Sequence, residues 1–192
     1  MKTAQIKKSM VHTALALSVV AGVGMAHAQM MGDSVMVGGQ SMLPSKDIID
    51  NAVKSVDHTT LVAAVKAAGL VDALKGAGPF TVFAPVNSAF AALPAGTVDN
   101  LLKPENKALL SKILTAHVVA GKLDKNELMS KIKSGGGKTE LNTLSGDKLW
   151  IMMNGNNLIV KDENGGVANI STYDVYQSNG VIQVVDRVLL PK

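Results

Sequence analysis

The sequence predicts an α+β domain, helical in its first half and built of antiparallel strands in its second. Three observations carry that prediction. From Ile48 to Leu114 apolar residues recur at three- and four-residue spacing, the period of a half-buried helix. From Lys138 onward short β-forming runs are separated by Ser145-Gly146, Asn154-Gly155, Asn164-Gly165 and Asn179-Gly180, pairs that accept the positive φ of tight turns. The chain has 192 residues and no cysteine, enough length for a self-sufficient apolar core and no means of building a disulfide scaffold, a Cys-ligated zinc site or a thiol nucleophile.

The first segment reads as an address. Lys2, Lys7 and Lys8 precede an uncharged stretch from Ser9 to Met25, and Ala26-His27-Ala28 supplies the small-x-small pattern of a signal-peptidase site. Ser18, Gly22 and Gly24 dilute the apolar core, which is shorter than the roughly 20 residues of a membrane span. Residues 1–28 are therefore expected to be a secretory signal cleaved near Ala28, releasing the product to a periplasm or the medium. The C-terminal Leu189-Leu190-Pro191-Lys192 has neither a hydrophobic tail nor a lipidation box. Residues 29–44, rich in Gly, Ser and Met and without a helical or strand period, read as a flexible linker, and residues 45–192 as the domain.

Within the domain, Ser45 is a candidate N-cap for a helix placing Ile48, Ile49, Ala52, Val53 and Val56 on one face. His58 falls in the punctuation before the next helix and reads as a surface residue. Leu61, Val62, Val65 and Ala68 mark that helix, which Gly69 closes, and Leu70–Lys75 can add a turn. Phe80–Ala84 is a strand ended by Pro85. Asn87 can cap a helix carrying Phe90 and Leu93, Thr97 begins another turn, and Pro104-Glu105 open a helix that buries Leu109, Leu110, Ile113 and Leu114. His117–Val119 is a strand, and Asp124-x-x-Glu127 a capping pattern for a brief helix through Leu128 and Ile132. Strands follow at Lys138–Leu141, Lys148–Met153, Leu158–Lys161, Val167–Tyr173 and Val181–Leu189. Trp150, the single tryptophan, is expected to plug the core between sheet and helices.

Composition excludes several functions. Without the three leader lysines, 16 basic residues face 15 acidic ones, and only six residues are aromatic. No concentrated basic face exists to hold phosphates and little aromatic surface to stack bases, so nucleic acid is not a partner. There is no Gly-x-x-x-x-Gly-Lys-Ser/Thr loop, no Gly-x-Ser-x-Gly elbow and no His-Glu-x-x-His zinc motif. Asp174 and Asp186 have no local carboxylate partner for glycoside chemistry. No enzyme and no cofactor is expected. His117 reads as a core histidine bonded toward the loop at Asn87. Met30, Met31, Met36 and Met42 offer soft thioethers that suit Cu(I), so weak copper or small-ligand binding in the envelope is the alternative role.

Two long segments add a resemblance. Gly78-Pro79-Phe80-Thr81-Val82-Phe83-Ala84-Pro85-Val86-Asn87-Ser88-Ala89-Phe90 resembles the first signature of the fasciclin domain, and Asn179-Gly180-Val181-Ile182-Gln183-Val184-Val185-Asp186-Arg187-Val188-Leu189-Leu190-Pro191 its closing signature. Between them Ile113-Leu114-Thr115-Ala116-His117-Val118-Val119 is similar to the family's tyrosine–histidine segment, with Ala116 in place of the tyrosine. Asp174-Val175 falls where the family carries Asp-Ile, and Gln183 where it commonly carries histidine. The resemblance implies a β-wedge of antiparallel strands flanked by short helices, without catalysis. It also implies adhesion to an extracellular or cell-surface protein or a matrix component through the region of His117, Asp174 and Val175. On that reading, Asp174→Ala should weaken attachment and leave stability nearly unchanged.

Overall fold

The computed structural model describes residues 34–192. The expected signal at 1–28, with Met30 and Met31, lies outside the described residues. The first described segment departs from the expected linker: Val35–Val37 (β1) and Gln40–Met42 (β2) pair as an antiparallel hairpin. Gly38 and Gly39, at φ 57° and 71°, make the turn. A three-residue strand is too short to show a period of two, yet it suffices here because Val37 and Met42 are buried in the domain core.

The helices come next. Ile48–Ala52 (α1) is capped by Asp47, whose side chain accepts the Asp50 N–H at 2.8 Å, two residues later than Ser45. It ends early, leaving Val53 and Val56 exposed. A 3₁₀ turn at Val56–His58 leads into Thr59–Ala68 (α2), which presents Leu61, Ala64, Val65 and Ala68 to the core and stops at Gly69, φ 72°. Val71–Lys75 (α3) precedes the strand Phe80–Pro85 (β3). Asn87–Ala91 (α4), Thr97–Leu101 (α5) and Lys107–Thr115 (α6) follow, and α6 buries Leu110, Ile113 and Leu114 but exposes Leu109. Asn87 does not cap its own helix: its Oδ1 accepts the Thr60 N–H at 3.0 Å and its Nδ2 donates to the Val56 carbonyl, tying α4 to the start of α2.

Val118–Ala120 (β4) and Lys125–Ser134 (α7), capped as expected by Asp124, open the strand-rich half. Its strands are Lys138–Asn142 (β5), Lys148–Asn154 (β6), Asn157–Lys161 (β7), Val167–Gln177 (β8) and Gly180–Val185 (β9). They form one sheet with β3 and β4, ordered β4-β3-β9-β8-β7-β6-β5. Every neighbouring pair is antiparallel except β3 and β9, which run parallel. The sheet curls until its two edges meet: Val119 bridges Thr143, and the Leu144 N–H donates to the Val118 carbonyl at 2.8 Å.

A curled sheet with helices on its outside has two cores. On β3, Val82 and Ala84 face the helical layer while Phe83, fully buried, points the other way, as strand alternation requires. Phe83 joins Leu149, Ile151, Leu158, Val160, Val185 and Leu189 inside the curl, where Leu128 and Ile132 of α7 also pack. Strand β9 is covered on both sides, which is why Val181–Val185 is buried without a break and reads as a continuous apolar run.

Trp150 is not in either core. On β6 Leu149 and Ile151 are buried, so Lys148, Trp150 and Met152 occupy the opposite, outer face, and Trp150 is half-buried there. Between sheet and helices lies an apolar cavity of about 50 Å³ lined by Val37, Met42, Leu61, Phe83 and His58 among others. That is well below the ~150 Å³ at which an apolar cavity admits a benzene ring.

Candidate functional site

The three residues singled out from the sequence land in two settings, two in the interior and one at the surface. His117 is 2% exposed and Val175 1%, so neither side chain meets solvent; Asp174 is half-buried at the surface. His117 donates from Nδ1 to the Ile113 carbonyl at 2.8 Å and accepts the Leu189 N–H on Nε2 at 2.9 Å. Both ring nitrogens are used, as expected for a core histidine, but the partner is the C-terminal segment at Leu189, beyond the end of β9 at Val185, rather than the loop at Asn87. Burial pulls the ring's pKa from 6.5 down to about 4, with the Ile113 carbonyl and the Asp162 charge opposing only in part.

Asp174 sits where β8 loses register with β9, between Thr172 and Val175, and adopts φ 57°, a left-handed conformation that Asp tolerates better than most residues. Its Oδ1 accepts the Lys125 N–H at 2.7 Å, the first residue of α7, and Gln183 Nε2 at 3.0 Å. Gln183, wholly buried, returns the contact by accepting the Asp174 N–H at 3.2 Å and donates also to the Leu123 carbonyl. The carboxylate therefore has a structural task, contrary to the expectation that its removal would leave stability unchanged. The glutamine standing where the family commonly has histidine completes the bulge.

Around this bulge a surface assembles that the sequence did not announce. Lys122 Nζ lies 4.6 Å from the Tyr176 ring centroid and Lys125 Nζ 4.4 Å from that of Tyr173. Tyr176 donates its hydroxyl to Asp124 Oδ2 at 3.3 Å, and the Tyr173 hydroxyl accepts the Leu158 N–H at 3.0 Å. Burial, then the Asp174 and Asp124 charges, push the Tyr176 phenol above its ordinary range, so it stays a hydrogen-bond donor. Two tyrosines and two lysines thus flank Asp174 in fixed positions, with the N-terminal turn of α7 beside them. The alternation of β8 would have paired Asp174 with the wrong face, because a bulge resets the period and leaves no mark in the residue pattern.

Other candidate chemistry is absorbed by the backbone. Asp186 accepts the Asn169 N–H and side-chain amide, each at 2.7 Å. Asp162, buried, accepts the Gly166 N–H at 2.6 Å and the Leu190 N–H at 3.0 Å. Among the described residues no group of three His, Asp or Glu side chains could hold a metal ion. Met36 is exposed and Met42 buried, on opposite faces of the β1–β2 hairpin, so the described thioethers do not converge as copper ligands. His58 is buried rather than on the surface: Nδ1 meets Ser55 Oγ at 2.9 Å, and Nε2 has no hydrogen-bond partner among the described residues. Burial lowers its pKa, against the Ala84 carbonyl and the Asp57 charge. No described helix is long and apolar enough to cross a membrane.

Comparison with known proteins follows the same lines. The chain is 44% identical over 169 residues to Protein sll1483 of Synechocystis, covering 88% of this chain and 87% of that protein. It is 37% identical over 122 residues to the cell surface glycolipoprotein MPB83 of Mycobacterium bovis, across 64% of this chain and 48% of that one. The FAS1 domain pair of the insect cell adhesion molecule Fasciclin I superposes with a TM-score of 0.69 over 84% of this chain and 58% of that chain, at 16% identity, a likeness of fold. The model of the fasciclin domain matches residues 56–191. The two signature segments lie side by side in the sheet as the parallel pair β3 and β9, and with that match across most of the described residues the chain belongs to the fasciclin domain family.

Proposed function

We propose that this protein is an exported, non-enzymatic adhesion module that binds an extracellular or cell-surface protein or matrix component through the face around Asp174. The observation that carries this reading is the pair of lysine–tyrosine stacks, Lys122–Tyr176 and Lys125–Tyr173, set on either side of a hydrogen-bonded bulge. Tyrosine and lysine stems present large contact area, and their ordering in the free protein reduces the entropy lost on binding. Support for a surface role comes from the names of the similar proteins, a cell surface glycolipoprotein and a cell adhesion molecule. Support for the absence of catalysis comes from Asp162, Asp174 and Asp186, each spent on backbone amides. The Lys2, Lys7, Lys8 and Ala26-His27-Ala28 pattern supports export, with a mature protein beginning at Gln29.

The test replaces charge on the face without touching the bulge. Lys122→Glu, at an exposed position, should lower attachment of cells or envelope fragments to the immobilised protein by about tenfold while the thermal midpoint moves little, since exposed charges contribute little to stability. Attachment equal to that of the parent protein would remove this face from the function.

A further inference from the structure

The outer face of strands β5–β7 carries a hollow that shares no residue with the Asp174 face. Trp150 stands at its centre, with Glu140 of β5 and Lys161 of β7 as its direct cross-strand neighbours and Lys138 opposite Met152. Beside the indole lies an open hollow of about 450 Å³, within the range of small-ligand sites, walled by Lys138, Met152, Lys161 and the turn from Asp162 to Gly165.

That wall is fixed in advance. Asp162 holds the turn from within by accepting the Gly166 and Leu190 N–H groups, and Asn164 Nδ2 donates to the Leu190 and Pro191 carbonyls at 2.9 and 3.0 Å. Glu163 accepts the Lys148 N–H at 2.9 Å, while Glu140 is paired with Lys148 Nζ at 2.7 Å. The acids of this face are therefore engaged. Lys138 and Lys161 form no ion pair within 4.0 Å among the described residues, although the Lys138 charge acts on Glu140 through space, and their ammonium groups stand at the rim. The half-buried indole and the ammonium groups of Lys138 and Lys161 border the hollow together, so a matching occupant offers a flat apolar face and an anionic group.

We propose that Trp150, Lys138 and Lys161 form a binding site for an acidic saccharide, a uronate-containing segment of an extracellular polysaccharide. A pyranose ring lays its C–H face on the indole, and its carboxylate takes charge-assisted hydrogen bonds from the two lysines. The rigid turn keeps those groups in place before the sugar arrives, which limits the entropy lost on binding.

Trp150 is the only tryptophan in the chain, so its fluorescence reports on this site alone. Titration with tetramers of galacturonate and of mannuronate should give a saturable change in emission with at least one of them. The neutral tetramer of glucose should bind about tenfold more weakly. Lys138→Ala with Lys161→Ala should weaken the acidic ligand about tenfold, and raised salt should do the same. Trp150→Ala, read by calorimetry, should abolish the heat of binding while its far-ultraviolet circular dichroism matches the parent. No saturable emission change with either acidic tetramer, equal affinity for the neutral one, or binding that survives Trp150→Ala would each overturn the assignment.

Discussion

His117 and Asp174 both spend their polar atoms on backbone amides, and each makes a measurable statement. His117 is neutral in the folded protein, with a pKa depressed from 6.5 to about 4 by burial. Between those values the unfolded chain binds a proton that the native state refuses, so stability is complete above pH 6.5 and falls as pH drops toward 4. The loss reaches about 3 kcal/mol at the lower limit, and His58, shifted the same way, adds to it with the same sign. Urea unfolding at pH 7 and pH 4.5 measures the loss, and NMR titration of the native His117 ring checks its source; protonation near pH 6.5 in the folded state would contradict it. Asp174→Ala removes the acceptor for the Lys125 N–H and for Gln183 and leaves alanine at φ 57°. Its cost should be about 2–3 kcal/mol in chemical denaturation, with Asp174→Asn losing less than half of that because it keeps an oxygen and tolerates the backbone.

At the scale of elements, the β1–β2 hairpin and the α7 cap show opposite degrees of legibility. Asp124 with Glu127 three residues on is a local signal, and the helix starts where it says, Asp124 accepting the Glu127 N–H at 2.9 Å. The hairpin has no local signal of comparable strength, since its stability comes from Val37 and Met42 inserting into a core made by residues far along the chain. Met42→Ala should therefore lower unfolding stability by about 2–4 kcal/mol, as for other buried Met truncations. A change below 0.5 kcal/mol would mean that the segment is only loosely attached, as its composition suggested. Trp150 belongs to this scale too: the alternation of buried Leu149 and Ile151 already implied that their neighbour faces outward, and size alone was a poor guide to burial.

For the whole molecule, closure is the decisive event. The two signatures, roughly 100 residues apart, lie as adjacent parallel strands, and the residues at their start interlock. Asn179 accepts the Ile48 N–H, donates to the Leu74 and Gly76 carbonyls, and its own carbonyl takes the Phe80 N–H. A Cβ on Gly180 would fall 2.1 Å from the Phe80 carbonyl oxygen, so that position admits only glycine. From sequence, Asn179-Gly180 reads as a hairpin turn; the turn lies one residue earlier, at Ser178-Asn179, with Gly180 opening β9 opposite Gln177, and the role of Asn179 as the joint between helices and sheet depends on chain segments that periodicity cannot bring together.

Sequence alone determined the class, the order of nearly all elements and the family, and showed that the chain has no cysteine, no nucleotide-binding loop motif and none of the catalytic motifs sought. These rest on local period, capping, turn chemistry and signature residues, all of which act over a few positions. Only the tertiary structure decided that Val175 is interior, that His117 holds the C-terminal segment, that Asp174 holds a bulge, that two tyrosines stack under two lysines, and that Trp150 looks outward over a hollow. Burial and side-chain meeting are set by contacts between residues far apart in the chain, such as Lys125 with Asp174, 49 positions apart, and Ile48 with Asn179, 131 apart, and no window of neighbouring residues records them.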